Sequence, residues 1–399
     1  MTSDPRNAGR RLRLGMVGGG RGAFIGAVHR IAARLDDRYE LVAGALSADP
    51  QRARESAAEL RIPADRAYTD FATMARAEAA RPDGIDVAAI VTPNHLHHAA
   101  ARAFIDAGIH VICDKPLTTT LPDAEDLVAA VARSGVLFSL THNYTGYPMV
   151  RQARAMVAEG ALGPIRAVQV EYPQDWLSTA LEQTGQKQAA WRTDPAQSGP
   201  AGALGDLGTH AFDLVGFVTG LTAEQVLADL ATFVPGRRLD DNAQVLLRFA
   251  GGARGALWAS QVAPGNQNAL RLRVYGARAG LEWAQEDPNV LRFARLDEAP
   301  QIITRAGPGA NLTAAHATRL PAGHPEGYLE SFAQLYADFA EQITARIEHR
   351  AADPASLLVP TVQDGLQGMR FIDAALESHR RGGVWTPLVL AVFDSAAER

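Results

Sequence analysis

RLRLGMVGGGRGAFIGAVHR, residues 11–30, decides the fold. Its first half is a short apolar run, its middle is glycine, and its second half reads as a helix. Gly18 suits a tight turn after the strand, and Gly20 lets the backbone approach a pyrophosphate. The helix that follows offers free N–H groups and the positive end of its dipole. Glycines alone are a weak signal. Strand, glycine turn and helix in that order are the context in which such a loop holds a dinucleotide. Arg21, Phe24 and Ile25 fall within this loop and join Gly18 and Gly20 as cofactor-binding candidates.

Working outward, the pattern repeats from Leu12 to about Tyr144. RLRLGMV, YELVAGAL, DVAAIVT, IHVICD and VLFSLTHN are short runs rich in Val, Ile and Leu. Between them lie the helix-like DPQRARESAAEL, HLHHAAARAFIDAG and PDAEDLVAAVARSG. Near-continuous apolar strands alternating with helices predict a doubly wound parallel sheet, covered on both faces. The expected division is a loose tail over 1–11, a Rossmann domain over 12–144, and a substrate-binding and oligomerisation domain over 145–399.

After about residue 160 the pattern changes. IRAVQVEYP, EQVLADLATFVP, NAQVLLRF, RGALWASQVA, LRLRVYGARAGLEW and VLRFARL follow with few helices between them. NAQVLLRFAGGARGALWASQ reads as a hairpin turning at Gly251 and Gly252. This predicts an α+β domain built on a large, mostly antiparallel, open-faced sheet. Two helices, around 327–349 and 361–381, close it, and 298–326 reads as a long loop. The alternation in VLLRF and GALWAS offers an apolar second face, which predicts a homodimer or homotetramer.

Composition narrows the partners. A formal net charge of -5 gives no reason to expect nucleic acid or an anionic membrane surface. One cysteine, Cys113, rules out an internal disulfide framework and a multi-cysteine zinc site, and fits a cytoplasmic setting. It reads as a buried strand residue. The twin arginines Arg10 and Arg11 are followed by only a short apolar run that enters glycines, so no export signal is expected there. No apolar stretch is long enough to span a membrane.

The second strand ends in SADPQRA. An acid at that strand end holds the ribose hydroxyls of NAD, whereas an arginine accommodates the extra phosphate of NADP. Ser47, Asp49 and Arg52 stand there. Asp49 would repel a phosphate, so NAD is expected, with NADP as the alternative.

GALGDLGTHAFDL, residues 202–214, sets Asp206 and His210 one helical turn apart among small residues. Such a pair moves a proton, binds a metal with Asp213, or simply caps a helix. Three helical neighbours alone make an incomplete metal site, so no metal is expected. An imidazole with an ordinary pKa of about 6.5 suits a general base.

VTPNHLHHAAARAFIDAGIHVICDKPL resembles the glucose–fructose oxidoreductase / inositol dehydrogenase / rhizopine catabolism (Gfo/Idh/MocA) family. That family shows Thr-Pro-Asn-x-x-His after strand four, Glu-Lys-Pro ending strand five, and later Asp-x-Gly-x-His. Here stand Thr92, Pro93, Asn94 and His97, then Lys115 and Pro116, then Asp206, Gly208 and His210. The resemblance runs from about residue 12 to 380. Asp114 replaces the usual Glu, and the glycine loop is about three residues longer, taken as Gly22, Ala23 and Phe24. HPEGYLESFAQLY (324–336) is similar to a sugar-oxidising branch that includes levoglucosan and inositol dehydrogenases.

The resemblance implies an NAD-dependent enzyme that transfers hydride from a secondary hydroxyl of a sugar or cyclic polyol. It places Thr92, Pro93, Asn94, His97, Asp114, Lys115 and Pro116 at the cofactor, and makes Lys115, Asp206 and His210 catalytic. His210 is the expected base and Lys115 its electrostatic partner, the exchanged assignment being the alternative. Asn143 and Tyr144, beside His142, end a strand on the cleft side and are candidate substrate contacts. Further candidates are Gln169, Trp191 and Arg192 in a loop before the Asp206 helix, and His324. Gln169 and Tyr172 sit three apart on one strand, so strand alternation puts them on different faces. Two other functions fit the same residues: a glycosidase using transient oxidation by NAD, and a dinucleotide-binding sensor without catalysis.

Overall fold

The computed structural model describes residues 9–388; residues 1–8 and 389–399 lie outside it. Most of the expected N-terminal tail therefore falls outside the described residues. Arg10 is not loose: its guanidinium donates to both carboxylate oxygens of Asp86, at 2.7 and 2.8 Å.

The first half runs β1 (Leu12–Gly18), α1 (Phe24–Leu35), β2 (Tyr39–Ala45), α2 (Pro50–Glu59), α3 (Phe71–Ala79), β3 (Val87–Val91), α4 (His97–Asp106), β4 (His110–Cys113), α5 (Leu121–Ser134) and β5 (Phe138–Leu140). The five strands form a parallel sheet in the order β2-β1-β3-β4-β5. The expected alternation is thus realised strand for strand. The motif count differs: with five strands, Thr92 follows the third and Lys115 the fourth. Every residue of β3 is buried, as a strand covered on both faces requires. Strand order reverses beside β1, and the crevice at that switch point is where open α/β sheets take ligands.

Helix starts show what the sheet edge leaves free. Asp49, Asp70 and Thr120 cap α2, α3 and α5 by accepting from Arg52, Thr73 and Asp123 backbone N–H groups. Helix α1 has no side-chain cap.

The second half contains α6 (Pro148–Ala158), β6 (Ile165–Pro173), α7 (Lys187–Arg192), α8 (Pro195–Ser198), a π-helical turn at Leu204–Gly208, α9 (Thr209–Thr219), β7 (Ala223–Ala231), β8 (Asn242–Phe249), β9 (Arg254–Ser260), β10 (Arg271–Gly276), β11 (Ala279–Ala284), β12 (Val290–Arg295), β13 (Gln301–Thr304), α10 (Leu312–His316), α11 (Tyr328–Ile347), α12 (Val362–Arg380) and β14 (Thr386–Pro387). Nine strands form the second sheet, in the order β13-β12-β11-β10-β6-β9-β8-β7-β14. Neighbours are antiparallel except β6 and β9. The β8–β9 hairpin turns at Gly251 and Gly252, both at positive φ as expected.

Two expectations need correction. The stretch 298–326 is not one loop: it contains β13 and α10, each of five residues or fewer and so too short to show a period. Trp191 and Arg192 end helix α7 rather than lying in a loop.

The halves interlock. Helix α11, though it follows the second sheet in sequence, packs Phe332, Tyr336, Phe339 and Ile343 against Leu12, Leu14, Met16 and Val28 of the first. The Tyr39 hydroxyl donates to the Tyr336 carbonyl at 2.8 Å, and Tyr336 Oη lies 2.9 Å from His29 Nδ1. Helix α12 packs on α5 and α9, with Phe212 stacked on Phe371 at 4.4 Å.

Candidate active site

The crevice beside β1 is built by glycine contacts. Gly18 takes φ +78°, and a Cβ there would meet the Val91 carbonyl oxygen at 2.8 Å. Gly26 does a job the sequence reading missed: its Cβ would fall 2.4 Å from the Gly19 Cα, so only glycine lets α1 seat against the loop. Gly20 is required for a different reason than expected. Its missing Cβ faces the Leu46 carbonyl at 2.6 Å and Ser56 Oγ at 2.8 Å, which is internal packing. Arg30 donates to the Gly19 carbonyl at 2.6 Å and braces the turn.

These residues fit a dinucleotide. The first-turn N–H groups of α1 are uncapped, as an anion site needs. Thr92 Oγ1, at the end of β3, is buried without a partner. Around them, the Arg21 side chain turns outward to Glu55 and Glu59, Phe24 is exposed and Ile25 half-buried. Ser47 Oγ accepts from the Asp49 amide, and Asp49 caps α2 by accepting from Arg52 N at 2.7 Å. Asp49 and Arg52 are exposed at the far end of the crevice.

His97 differs from expectation. Its Nδ1 lies 2.8 Å from the Pro116 carbonyl and its Nε2 3.0 Å from the Thr92 carbonyl. The ring fills the space between the two carbonyls; kept neutral by burial, it donates to one of them and faces the other, packed between the ends of β3 and β4. Pro93, between Thr92 and Asn94, is half-buried. Asn94 donates to the Ser198 carbonyl at 3.0 Å, tying the crevice to α8. Asp114 Oδ1 accepts from Thr141 Oγ1 at 2.8 Å and from the Lys115 amide at 3.1 Å, which fixes the end of β4.

Lys115 leaves that strand end for the second half of the chain. Its ammonium donates to Asp206 Oδ1 and to the Asp206 carbonyl, each at 2.7 Å. The other carboxylate oxygen accepts from Gln261 Nε2 at 2.9 Å and faces Arg192 Nε at 3.4 Å. Burial works to raise the Asp206 carboxyl, but the charges of Lys115 and Arg192 outweigh it and hold the pKa at about 2. Arg192 is in turn packed over the Trp191 ring at 4.3 Å.

The π-helical turn explains why Asp206 and His210 do not act on each other. Its i→i+5 bond, from Thr209 N to the Leu204 carbonyl, widens the turn and sends the two side chains to different partners. Asp240 holds its start, accepting from the Gly202 and Leu204 amides at 2.7 Å each. His210 faces His142, its Nδ1 3.5 Å from the His142 Nδ1, with the Tyr144 ring at 4.8 Å and Tyr172 at 6.1 Å. Burial, then the charge of Lys115, holds the His210 imidazole neutral, far below its usual range. The same causes push His142 down to about 3.

Other candidates divide. Tyr144 joins the cluster through a hydroxyl contact with Tyr172, which donates to Asn268 Oδ1 at 2.7 Å. Asn143 is buried and turned toward Ser331 on α11, at 3.4 Å. Gln169 is exposed on the open face of the second sheet, opposite Val168, Val170 and Tyr172, so strand alternation takes it away from the cluster. His324 is exposed before α11. Gln261, Asn268 and Tyr328 were missed. Tyr328 lies within electrostatic reach of Asp114, Asp206 and Tyr144. Among the described residues no group of three or more His, Cys, Asp or Glu side chains is arranged to hold a metal ion. No described helix is long and apolar enough to cross a membrane.

Comparison with known proteins places this geometry. Residues 12–142 match the oxidoreductase family with an NAD-binding Rossmann fold, and residues 150–282 match the GFO/IDH/MocA C-terminal domain. The chain belongs to the GFO/IDH/MocA oxidoreductase family. An oxidoreductase from Sinorhizobium meliloti is 54% identical, with a TM-score of 0.86 over 94% of this chain and 99% of that one. An inositol dehydrogenase homolog from Azotobacter vinelandii, solved with NAD+, is 37% identical, with a TM-score of 0.91 over 97% of this chain and all of the other. Levoglucosan dehydrogenase, solved with NADH and levoglucosan, is 27% identical, with a TM-score of 0.78 over 96% of this chain and all of its own. This GFO/IDH/MocA protein is accordingly an NAD-binding oxidoreductase whose residues 12–142 form the Rossmann domain.

Proposed function

We propose that this oxidoreductase oxidises a secondary hydroxyl of a sugar or cyclic polyol with NAD, and reduces the matching ketone in reverse. The observation that carries the reading is Lys115, held at 2.7 Å by Asp206 beside a neutral His210. Two ammonium protons are engaged by Asp206, and the third is left for the reacting oxygen, where it stabilises developing negative charge. His210 takes the hydroxyl proton; its imidazole is unprotonated and free to accept, although burial makes it a weaker base than the ordinary imidazole expected from the sequence. Bound NAD supplies the hydride acceptor. Gly18, the α1 N-terminus and Thr92 would hold it, and Asp49 would take its ribose hydroxyls and disfavour NADP.

Arg192 and Gln261 flank Asp206, and Trp191 stacks on Arg192, so hydrogen-bonding groups and an aromatic side chain are at hand for a polyhydroxylated ring. The relatives named for inositol and levoglucosan support that substrate class. The protein would work as a dimer or tetramer through the open face of the second sheet, where Leu246 and Tyr275 are exposed; a monomer by light scattering at micromolar concentration would contradict this.

The test is absorbance in the NADH band with inositols, aldoses, anhydrosugars and glucosides, each with NAD and NADP. NADH formation with one of these classes is the expected result. Free aglycone without net NADH would move the reading to transient oxidation. Silence across the panel with NAD still bound would overturn it.

A further inference from the structure

His210 is not the last ionisable group in its row. Its Nδ1 faces the His142 Nδ1 at 3.5 Å, and the His142 Nε2 lies 4.0 Å from Oδ1 of Asp213. The Asp213 carboxylate has no hydrogen bond among the described residues, and Asp213 lines a second cavity of about 400 Å³, with Arg154, Phe212, Pro360 and Asp364. Among the described residues the His210 Nε2 has no partner in the fold. The row therefore runs from the proposed base to a cavity outside the Lys115–Asp206 cluster.

Two imidazole nitrogens that face each other form a hydrogen bond only when one is bare and the other carries a proton. The tautomer of His210 is therefore tied to that of His142. What faces the His142 Nε2 decides the order. An ionised Asp213 accepts the Nε2 proton, His142 Nδ1 is then bare and accepts from His210, and the His210 Nε2 is left bare. A neutral Asp213 donates instead, every bond in the row reverses, and His210 presents an Nε2–H. The 4.0 Å gap exceeds a direct hydrogen bond and is closed by a small turn of the Asp213 carboxyl or by one cavity water.

We propose that His142 and Asp213 are positioning residues that set which nitrogen of His210 is bare, so that the protonation of Asp213 selects between alcohol oxidation and carbonyl reduction. The proposal rests on His210 being the base. In oxidation the C–H electron pair leaves as hydride to NAD, and the hydroxyl proton binds His210 Nε2. The His210 Nδ1 proton passes to His142, and the His142 Nε2 proton passes to Asp213. Each ring gains one N–H and loses one, and the carboxylate gains the single proton. Burial, then Asp364 on α12, raises the Asp213 carboxyl well above its usual range. The charged groups facing the row are Asp364, Arg154 on α6, Asp114 and Lys115.

The experiment follows the histidine ring nitrogens by 15N NMR in the NAD-bound protein across pH. Wild type is expected to pass from a protonated to a bare His210 Nε2 as pH rises. Asp213→Asn, whose amide donates to His142, is expected to keep Nε2 protonated throughout. Its kcat for alcohol oxidation falls about a hundredfold with KM unchanged, and carbonyl reduction falls less. Asp213→Glu restores the switch, and His142→Gln abolishes it if the asparagine variant does not fold. An identical His210 tautomer at every pH in wild type and Asp213→Asn overturns the proposal, whatever the substrate panel shows. A silent substrate panel with the NMR switch intact instead overturns the hydroxyl-oxidation reading.

Discussion

Lys115 gives two of its three ammonium protons to Asp206, one to the carboxylate and one to the main-chain carbonyl, each at 2.7 Å. The first residue ends β4 and the second sits in the π-helical turn, so one side chain spans the two halves. Lys115→Met is expected to lower kcat/KM for the identified alcohol by about 10²–10³-fold, the scale of removing one donor from a developing oxyanion. NAD affinity by calorimetry should change less than tenfold. Turnover within tenfold of wild type would remove Lys115 from the chemistry.

The buried histidines make the fold acid-sensitive. Burial lowers the imidazoles of His29, His97 and His210, brings His110 to about 4 and His142 to about 3. Their unfolded value is about 6.5. Below that pH the unfolded chain binds protons that the folded chain refuses, so stability falls as pH drops. Each such ring contributes a slope of up to about 1.4 kcal/mol per pH unit. Asp206 works in a lower window: its pair stabilises above about pH 4 and is lost toward about pH 2. The urea midpoint should therefore fall between pH 7 and pH 5.5. His110→Asn, which keeps an acceptor for the Leu137 amide, should flatten that dependence. Equal midpoints at the two pH values would contradict the account.

Asp49 does two things that a substitution can separate. Asp49→Ala loses the α2 cap, at about 1 kcal/mol, together with the proposed contact to ribose. Asp49→Ser keeps a capping oxygen, so its melting temperature should stay near wild type while the preference for NAD over NADP falls. Unchanged discrimination between the cofactors would place the determinant elsewhere.

Gly26→Ala is expected to be worse than Gly22→Ala, although only Gly22 has a positive φ. A Cβ at Gly26 would strike Gly19 backbone at 2.4 and 2.5 Å, whereas Gly22 at φ +79° looks onto open space. Overpacking against rigid backbone costs about 1–3 kcal/mol and displaces the loop, against about 1 kcal/mol for the left-handed position. Thermal melts and NAD titrations of the two variants give the order directly.

The sheet and the glycine turn were legible because each is written locally, and the resemblance pointed to Lys115, Asp206 and His210, of which the structure brings Lys115 onto Asp206. Apolar runs mark β1 to β5, and the motif residues stand at strand or helix ends. What was not legible depends on contacts far along the chain. Nothing near Gln261 or Asn268 marks them, since they reach the cluster only after the second sheet has folded. Gly26 looks like any helical glycine until Gly19 is laid against it. The i, i+4 spacing of Asp206 and His210 misled because a π-helical turn is invisible to a helical period. Gln169 came from a strand whose faces alternate and His324 from a late loop; both side chains are exposed, Gln169 on the open face of the second sheet.

Helix α11 carries a mechanical consequence. It lies as a strap from the second sheet across the first, with Phe332, Phe339 and Ile343 sunk in the first core. Swinging the two lobes apart would expose those side chains to water, at a cost of several kcal/mol on an ordinary burial scale. The molecule cannot breathe like a hinged jaw. Even the span that carries Trp191 and Arg192 is pinned to its neighbours, by Asn94 on the Ser198 carbonyl and by Arg237 on Glu182, so the walls of the site are held from both halves.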